Sequence, residues 1–377
     1  MKFSLLQQDL YPALSSIARS CGFKSSLPVL ANILIQADQG KLKLSATNLE
    51  IGVVKSLNAE VVEEGEVTIP AKTILDLLGS LSGAKIEIES GGETIRISSQ
   101  GFKASLNGIP ASEFPTIPFS SENSIKISAK ALQTSLPQVS FAAAADEGRP
   151  TLTGILTEIR KNTLEIVATD GFRLAHKTSQ IEFSNEDSFK FRVLIPKRTF
   201  DEIIKLISEE SSQNQNENMQ VNISTPDNQN QIVFSIGETL VSSRLIEGQF
   251  PAWEKIIPEK FVTKSIVDRV EALKAIKLAS VFARGDSSNI IKIQFRPNLM
   301  KITSETKEIG SQETEVQSRT EGEELLVAFN SKFLMDVLSS ANSESMEINL
   351  SGNLSPALFK PLGEEGLEYV IMPVRLS

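Results

Sequence analysis

Three segments of this chain answer one another. Pro70-Ala71-Lys72-Thr73-Ile74-Leu75-Asp76 is matched by Pro196-Lys197-Arg198-Thr199-Phe200-Asp201-Glu202 and by Asn330-Ser331-Lys332-Phe333-Leu334-Met335-Asp336. Each has a base at its third position and an acid at its seventh. Each also carries an apolar stripe at i, i+3, i+4 and i+7, as in Ile74, Leu77, Leu78 and Leu81. That spacing predicts one face of an α-helix, and Pro or Asn at the entry suits a helix N-terminus. The recurrence constrains more than the stripe, because the copies begin at 70, 196 and 330, about one domain length apart. Three copies of one domain are expected, at 1–122, 123–258 and 259–377.

Composition removes several classes. With 40% hydrophobic and 23% charged residues in 377, the chain has the balance of a globular protein. One cysteine, Cys21, rules out an intrachain disulfide framework and reads as a small buried hydrophobe in a reducing compartment. The N-terminal segment turns polar at Gln7, before a signal-peptide core could form, and no run approaches the ~18 apolar residues of a membrane span. A cytoplasmic location is expected. The net charge of −9 argues against a surface coated with bases. Yet the six candidate helices (7–20, 70–81, 128–144, 196–208, 267–284 and 330–341) are together net positive. Either they share a neutral-to-basic side, or pairs such as Arg198 and Glu202 are i,i+4 bridges on a solvated face.

The spaces between helices read as strands. In the first copy they fall at 30–36, 41–47, 51–57 and 66–69, then at 85–89, 94–98 and 102–107. Phe114-Pro115 with Pro118 marks a connector that cannot join a ladder. The second copy opens with a helix near Ser128, followed by strands at 154–158, 163–169, 173–179 and 192–195. The polar stretch 208–220 is expected to be a loop. Strands at 221–224, 231–236 and 239–245 lead to a second Phe-Pro at Phe250-Pro251. The third copy repeats the order, with a helix from Val267 and strands at 290–295, 299–303, 311–314, 324–329, 347–350, 357–361 and 369–373. The fold class is therefore α+β, with antiparallel sheets and two helices in each copy.

Catalytic residues are scarce. His176 is the only histidine and Cys21 the only cysteine, so Cys/His metal sites are excluded and no cofactor is implied. His176 lies in an alternating segment and reads as structural. The chain has no G-x-x-x-x-G-K-[ST] loop and no G-x-G-x-x-G turn for phosphates. A non-enzyme is expected; a carboxylate enzyme and a purely structural scaffold are the alternatives.

Four stretches carry a resemblance. Val167-Ala168-Thr169-Asp170-Gly171-Phe172-Arg173-Leu174-Ala175, Leu27-Pro28-Val29-Leu30-Ala31-Asn32, Phe250-Pro251 with Ile257-Pro258, and the ending Tyr369-Val370-Ile371-Met372-Pro373-Val374-Arg375-Leu376 resemble stretches of the bacterial DNA polymerase III beta subunit family of sliding clamps. The resemblance implies a head-to-tail homodimer, a ring of six clamp domains around double-stranded DNA, helices inside and sheets outside. Such a ring is a processivity factor in DNA replication. Its implied partners are the polymerase catalytic subunit, the clamp loader and other proteins with clamp-binding motifs, a 3'-5' exonuclease-bearing complex among them.

The same resemblance implies site residues. Lys24, Arg149, Lys197 and Arg198 match DNA-facing positions, and the repeat adds Lys72 and Lys332. A peptide pocket would be formed by Thr169, Gly171, Phe172, Arg173, Leu174, Pro251, Lys255, Ile256, Val370, Met372, Pro373 and Arg375. Phe172 stands where the family often has histidine, and Lys255 where it has arginine. Arg173 and Arg375 are expected as orienting donors on the rim. Leu106 and Phe282 match dimer-contact positions, with Ala104 where a larger aromatic is familiar.

Overall fold

The computed structural model describes residues 1–81, 83–119, 124–160, 162–181, 191–214, 218–226, 230–283, 289–306 and 309–375. Its six helices, among the described residues, are α1 (Gln7–Ala18), α2 (Ala71–Gly79), α3 (Ala129–Ser140), α4 (Lys197–Asn214), α5 (Arg269–Ala283) and α6 (Ser331–Ser340). Two compact units result, Met1–Lys130 with Asp201–Leu245, and Ala131–Phe200 with Ile246–Ser377.

The first unit holds two antiparallel sheets. One runs Glu60–Glu63, Lys2–Leu6, Lys85–Gly91, Thr94–Ser99, Phe102–Asn107. The other runs Ser124–Ser128, Gln220–Ser224, Gln231–Ile236, Thr239–Arg244, Ile51–Asn58, Lys41–Thr47, Asn32–Asp38, Gly65–Pro70. Alternation places Leu42 and Leu44 fully inside while Lys41 and Lys43 face out. Leu10, Leu14 and Ile17 of α1 and Ile74 and Leu78 of α2 are fully buried, and the two helices pack together against the strands.

The second unit carries one twelve-stranded sheet. Its order is Phe191–Pro196, Gly154–Arg160, Thr163–Thr169, Arg173–Gln180, Leu367–Ile371, Ala357–Pro361, Ser345–Leu350, Thr263–Asp268, Gly310–Gly322, Leu299–Thr306, Ile290–Arg296, Leu325–Asn330. Helices α5 and α6 pack together as α1 and α2 do.

Both long sheets cross the repeat boundaries by one rule: the last strand of a copy pairs with the strand after the Thr-containing turn of the copy before it. Ser242 thus lies opposite Gly52, and Val370 opposite Leu174. Backbone pairing ignores side-chain identity, so periodicity alone could not reveal this join.

Several expectations need correction. Each copy opens with a strand that the sequence reading left out: Lys2–Leu6, Ser124–Ser128 and Thr263–Asp268. Ser128 therefore ends a strand, and the third copy's first helix begins at Arg269 rather than Val267; Arg284 lies outside the described residues. The strand expected at 311–314 runs Gly310–Gly322, turning from Leu299–Thr306 to pair with Thr263–Asp268. The final strand ends at Ile371, before Pro373. The polar stretch from 208 is helical to Asn214, and 215–217 lie outside the described residues. Its acids are what hold it. Glu209 meets Arg19 at 2.7 Å and Glu210 meets Lys55 at 3.5 Å, the second pair deeply buried, while Ser208 and Ser212 donate back to carbonyls one turn earlier. Glu202 likewise pairs with Arg19 at 2.8 Å.

Candidate functional site

The centre of interest is the turn after Thr163–Thr169. Thr169 Oγ1 donates to the Arg173 carbonyl at 2.6 Å and accepts from Gly171 N at 3.1 Å. Asp170 Oδ1 accepts from the amides of Phe172 and Arg173 at 2.9 and 3.0 Å. Gly171 sits at φ +90°, where a Cβ is penalised. The first copy builds the same turn, with Thr47 Oγ1 donating to Ile51 O and Asn48 Oδ1 accepting two amides. The turn is a property of the repeat, and the side chains it presents are particular to this copy.

Those side chains differ in fate. Phe172 is exposed and stacks on Phe333 of α6, with ring centroids 6.5 Å apart. Its carbonyl accepts from Met372 N at 2.9 Å, which fixes the C-terminal segment beside it. Arg173 overturns the expectation of a rim donor, for it is buried. Nε donates to Asp170 at 3.0 Å, Nη1 pairs with Asp336 of α6, and Nη2 donates to the Phe141 carbonyl at 3.0 Å. The guanidinium lies 4.7 Å from the Phe333 ring centre and 5.2 Å from that of Phe141. Its donors are spent on tying the turn to α6.

Beneath lies an apolar floor. Leu156, Val167, Leu174, Leu194, Trp253, Leu358 and Val370 form one buried cluster, with Ile246, Phe250, Ile256 and Ile257 packed on it and partly exposed. The structure thus unites Leu174, Val370 and Ile256, and separately Phe172 with Met372. Pro251, Lys255 and Arg375 are exposed, and Pro373 is half-buried. Trp253, Phe333, Asp336 and Phe141 were missed by the sequence reading. Only Trp253 offered a signal, as the sole tryptophan, set between two prolines.

His176, one pleat from Leu174, is held on both ring nitrogens: Nδ1 lies 3.0 Å from Glu368 and Nε2 3.1 Å from Glu165. Burial opposes its charge, but hydrogen bonds to the two carboxylates outweigh that and raise its pKa above the ordinary 6.5. Cys21 is buried, which pushes its thiol up to about 12.

Three family models tile the chain: the DNA polymerase III beta subunit N-terminal domain over residues 1–118, its central domain over 126–252 and its C-terminal domain over 254–375. The chain belongs to the DNA polymerase III beta subunit family. A beta sliding clamp of Synechococcus elongatus is 31% identical over 384 residues, covering 100% of both chains. One from Staphylococcus aureus is 28% identical, covering 100% of this chain and 99% of its own. Among solved structures, a Pseudomonas aeruginosa sliding clamp bound to griselimycin superposes with a TM-score of 0.92 at 28% identity, and a Bacillus subtilis clamp with 0.93 at 25%, each over the full length of both chains.

Within this clamp chain the floor of the second copy has no match in the first. Register equates Val167, Leu174 and Leu194 of the second copy, and Val370 of the third that joins them, with Ser45, Gly52 and Thr68 of the first copy and Ser242 of the second. Polar or absent side chains replace the four apolar ones, and Ile117 lies so close that a Cβ on Gly52 would fall 2.5 Å from it. The first copy's equivalent surface is closed by the chain itself.

The basic candidates are placed as follows. Lys24, Lys72, Arg149, Arg198 and Lys332 are exposed and Lys197 is half-buried. Arg149 is partly engaged, donating to Asp170 O at 2.8 Å. Lys72, Lys197, Arg198 and Lys332 all fall in the first turns of α2, α4 and α6, none of which has an acid there. For the dimer candidates, Leu106 is half-buried on the edge strand Phe102–Asn107, and Phe282 is half-buried on α5. Leu278 and Val281 are 56% and 48% exposed on the same helix.

Proposed function

We propose that two copies of this chain close head-to-tail into a ring of six domains that encircles duplex DNA and tethers a replicative polymerase. The reading rests on membership of the beta subunit family over the whole chain, as a non-catalytic accessory subunit. The domain boundaries we propose are 1–122, 123–258 and 259–377, and the compartment is the cytoplasm. The described residues contain no helix long and apolar enough to cross a membrane.

Two features support the ring. Among the described residues, the pairing rule used twice inside the chain leaves one open edge of each kind: that of Phe102–Asn107 at a sheet edge, and residues 310–317 on the side away from Leu299–Thr306. Carrying the register over sets Lys103 opposite Glu313 and Leu106 opposite Gly310 of a second copy. A heterologous contact that closes after two copies leaves neither edge open. The second feature is the repeated bases. A helix N-terminus carries partial positive charge and favours acids, so exposed Lys72, Arg198 and Lys332 there work against their own helices. A polyanion facing the helix starts gives them a use, and Lys24, Arg149 and Lys197 would add to the same attraction. Few contacts suffice, because retention is topological and strong phosphate binding would resist sliding.

The groove of Leu174, Ile256, Val370 and Met372, bordered by Thr169, Gly171, Phe172, Pro251 and Pro373, is the docking place for short segments of polymerases, the clamp loader and other factors. Lys255 and Arg375 are its exposed charged border. The test is the native mass and retention on closed circular DNA after loading, with release when the circle is cut. A monomeric mass, or release that ignores cutting, would overturn the ring.

A further inference from the structure

We propose that His176 is a protonation switch acting through Trp253 on the groove floor, so that affinity for a docked peptide falls as the imidazole loses its proton. The inference rests on the groove reading above and adds its regulation. The chemistry begins with hydrogen-bond inventory. A neutral imidazole has one N–H, yet both nitrogens of His176 face a carboxylate, Glu368 at 3.0 Å and Glu165 at 3.1 Å. Only the imidazolium satisfies both. The neutral state also has a partner ready, for Thr178 Oγ1 lies 3.2 Å from Nε2 and can donate to it once that proton is gone. Two hydrogen-bonding states are therefore built in, and the second leaves Glu165 without its donor.

Position links the switch to the groove. Along its strand His176 is two residues from Leu174, and Glu368 is two from Val370, so all four lie on one sheet face in adjacent cross-strand rows. The indole of Trp253 sits 4.5 Å from the imidazole and belongs to the same cluster as Leu174, Val370 and Ile256. An imidazolium is attracted to that ring and a neutral imidazole much less so. The pair also spans the seam where the last strand of the chain joins the Arg173–Gln180 strand, so loss of the proton loosens the two strands that form the floor.

Other charged groups face it from neighbouring elements. Lys360 reaches Glu368 at 3.6 Å, and Glu347, also lining the cavity of about 350 Å³ beside His176, is held by Lys264 at 2.6 Å. Glu364 and Glu365 line the same cavity, Arg160 and Arg192 act on Glu165 from its other side, and Lys177 on the same strand donates to the Glu365 carbonyl. Burial opposes the charge on the ring, but the hydrogen bonds to Glu165 and Glu368 outweigh it and favour the charged form.

One histidine and one tryptophan make the test direct. Protonated imidazole accepts electron density from an excited indole and quenches it. Emission of the full-length protein is followed from pH 5.5 to 9. In parallel, binding of a blocked peptide of glutamine, leucine and phenylalanine, which has no titratable group, is measured at each pH. The expected result is one rise in emission with a midpoint above 6.5, and peptide binding that weakens about fivefold along the same step. Both changes disappear in His176→Gln. Glu165→Gln, which keeps the histidine, lowers the midpoint. A step that survives His176→Gln, a midpoint unmoved by Glu165→Gln, or affinity flat across a normal step would overturn the switch. No binding at any pH beside an intact emission step would overturn the groove reading, and the proposal with it.

Discussion

Arg173→Ala should cost the second unit ~3–4 kcal/mol. The guanidinium holds Asp170, Asp336 and the Phe141 carbonyl with three separate nitrogens, in a site where only 9% of its side chain is exposed. Removing one partner of a buried charge pair costs ~3–5 kcal/mol, because the other charge stays behind. Two observations moderate that figure. Asp336 keeps 32% exposure and can recover water, and Asp170 retains the amides of Phe172 and Arg173. Taking the cation away from the rings of Phe141 and Phe333 adds back ~0.5–1 kcal/mol each. Arg173→Lys keeps the charge but cannot serve three directions, and should fall about midway. The assay is urea unfolding followed by Trp253 emission, which reads the cluster under the turn. A loss below ~1 kcal/mol for alanine, or a lysine variant equal to wild type, would refute the tether and return Arg173 to the rim. Peptide affinity should fall with either variant, because the turn that carries Phe172 and Met372 is no longer anchored to α6.

Neutralising Lys24, Arg149, Lys197 and Arg198 together should weaken DNA attraction uniformly across sequences. The log K against log salt slope should flatten by about 0.9 for each phosphate that is no longer neutralised; an unchanged slope would remove these residues from the DNA face. Met372→Ala should weaken the peptide by ~1–2 kcal/mol and leave dimer mass and retention on DNA intact, as measured by peptide titration and light scattering. Stability should depend on pH through the His176 cluster. His176 has a raised pKa, so its contribution is complete below 6.5 and is lost as pH rises through the higher folded value. Glu165 and Glu368, lowered by their hydrogen bonds to His176, contribute fully above 4.5 and lose that as pH falls through their folded values. The two descriptions concern the same contacts, which are therefore intact between pH 4.5 and 6.5. The urea midpoint difference between wild type and His176→Gln should be largest near pH ~6, worth ~1–2 kcal/mol, and should shrink by pH ~9.

The fold was legible where one periodicity dominated. Stripes such as Ile74, Leu77, Leu78 and Leu81 announced helices, and alternation at 41–47 announced a strand. What escaped were elements whose signal is shared. Lys2–Leu6 and Thr263–Asp268 run directly into α1 and α5, so their apolar residues blend into the helical stripe. The tail of α4 escaped for the opposite reason. Its Ser, Glu, Gln and Asn residues have no apolar face, and its order comes from Arg19 and Lys55, distant in sequence. Such a segment can be recognised only once its ionic partners are known.

The candidate site divides along the same line. Thr169, Asp170 and Gly171 make a turn whose chemistry is local, held by hydrogen bonds among residues four or fewer apart. The role of Arg173 was not legible, because a charged residue after a turn looks solvent-facing unless Asp336, 163 positions away, is known to meet it. The floor shows the limit most clearly. Leu174 and Val370 look like any strand core, and their meaning lies in a comparison between copies that share a backbone. Where Gly52 of the first copy lies opposite Ser242, the chain's own Ile117 covers the Gly52 position. Where Leu174 of the second copy lies opposite Val370, the connector forms a turn at Trp253–Ile256, and Ile256 and Ile257 are only partly buried. Duplication supplied two equivalent surfaces, and side-chain volume at a handful of positions decided which one the chain's own Ile117 closes.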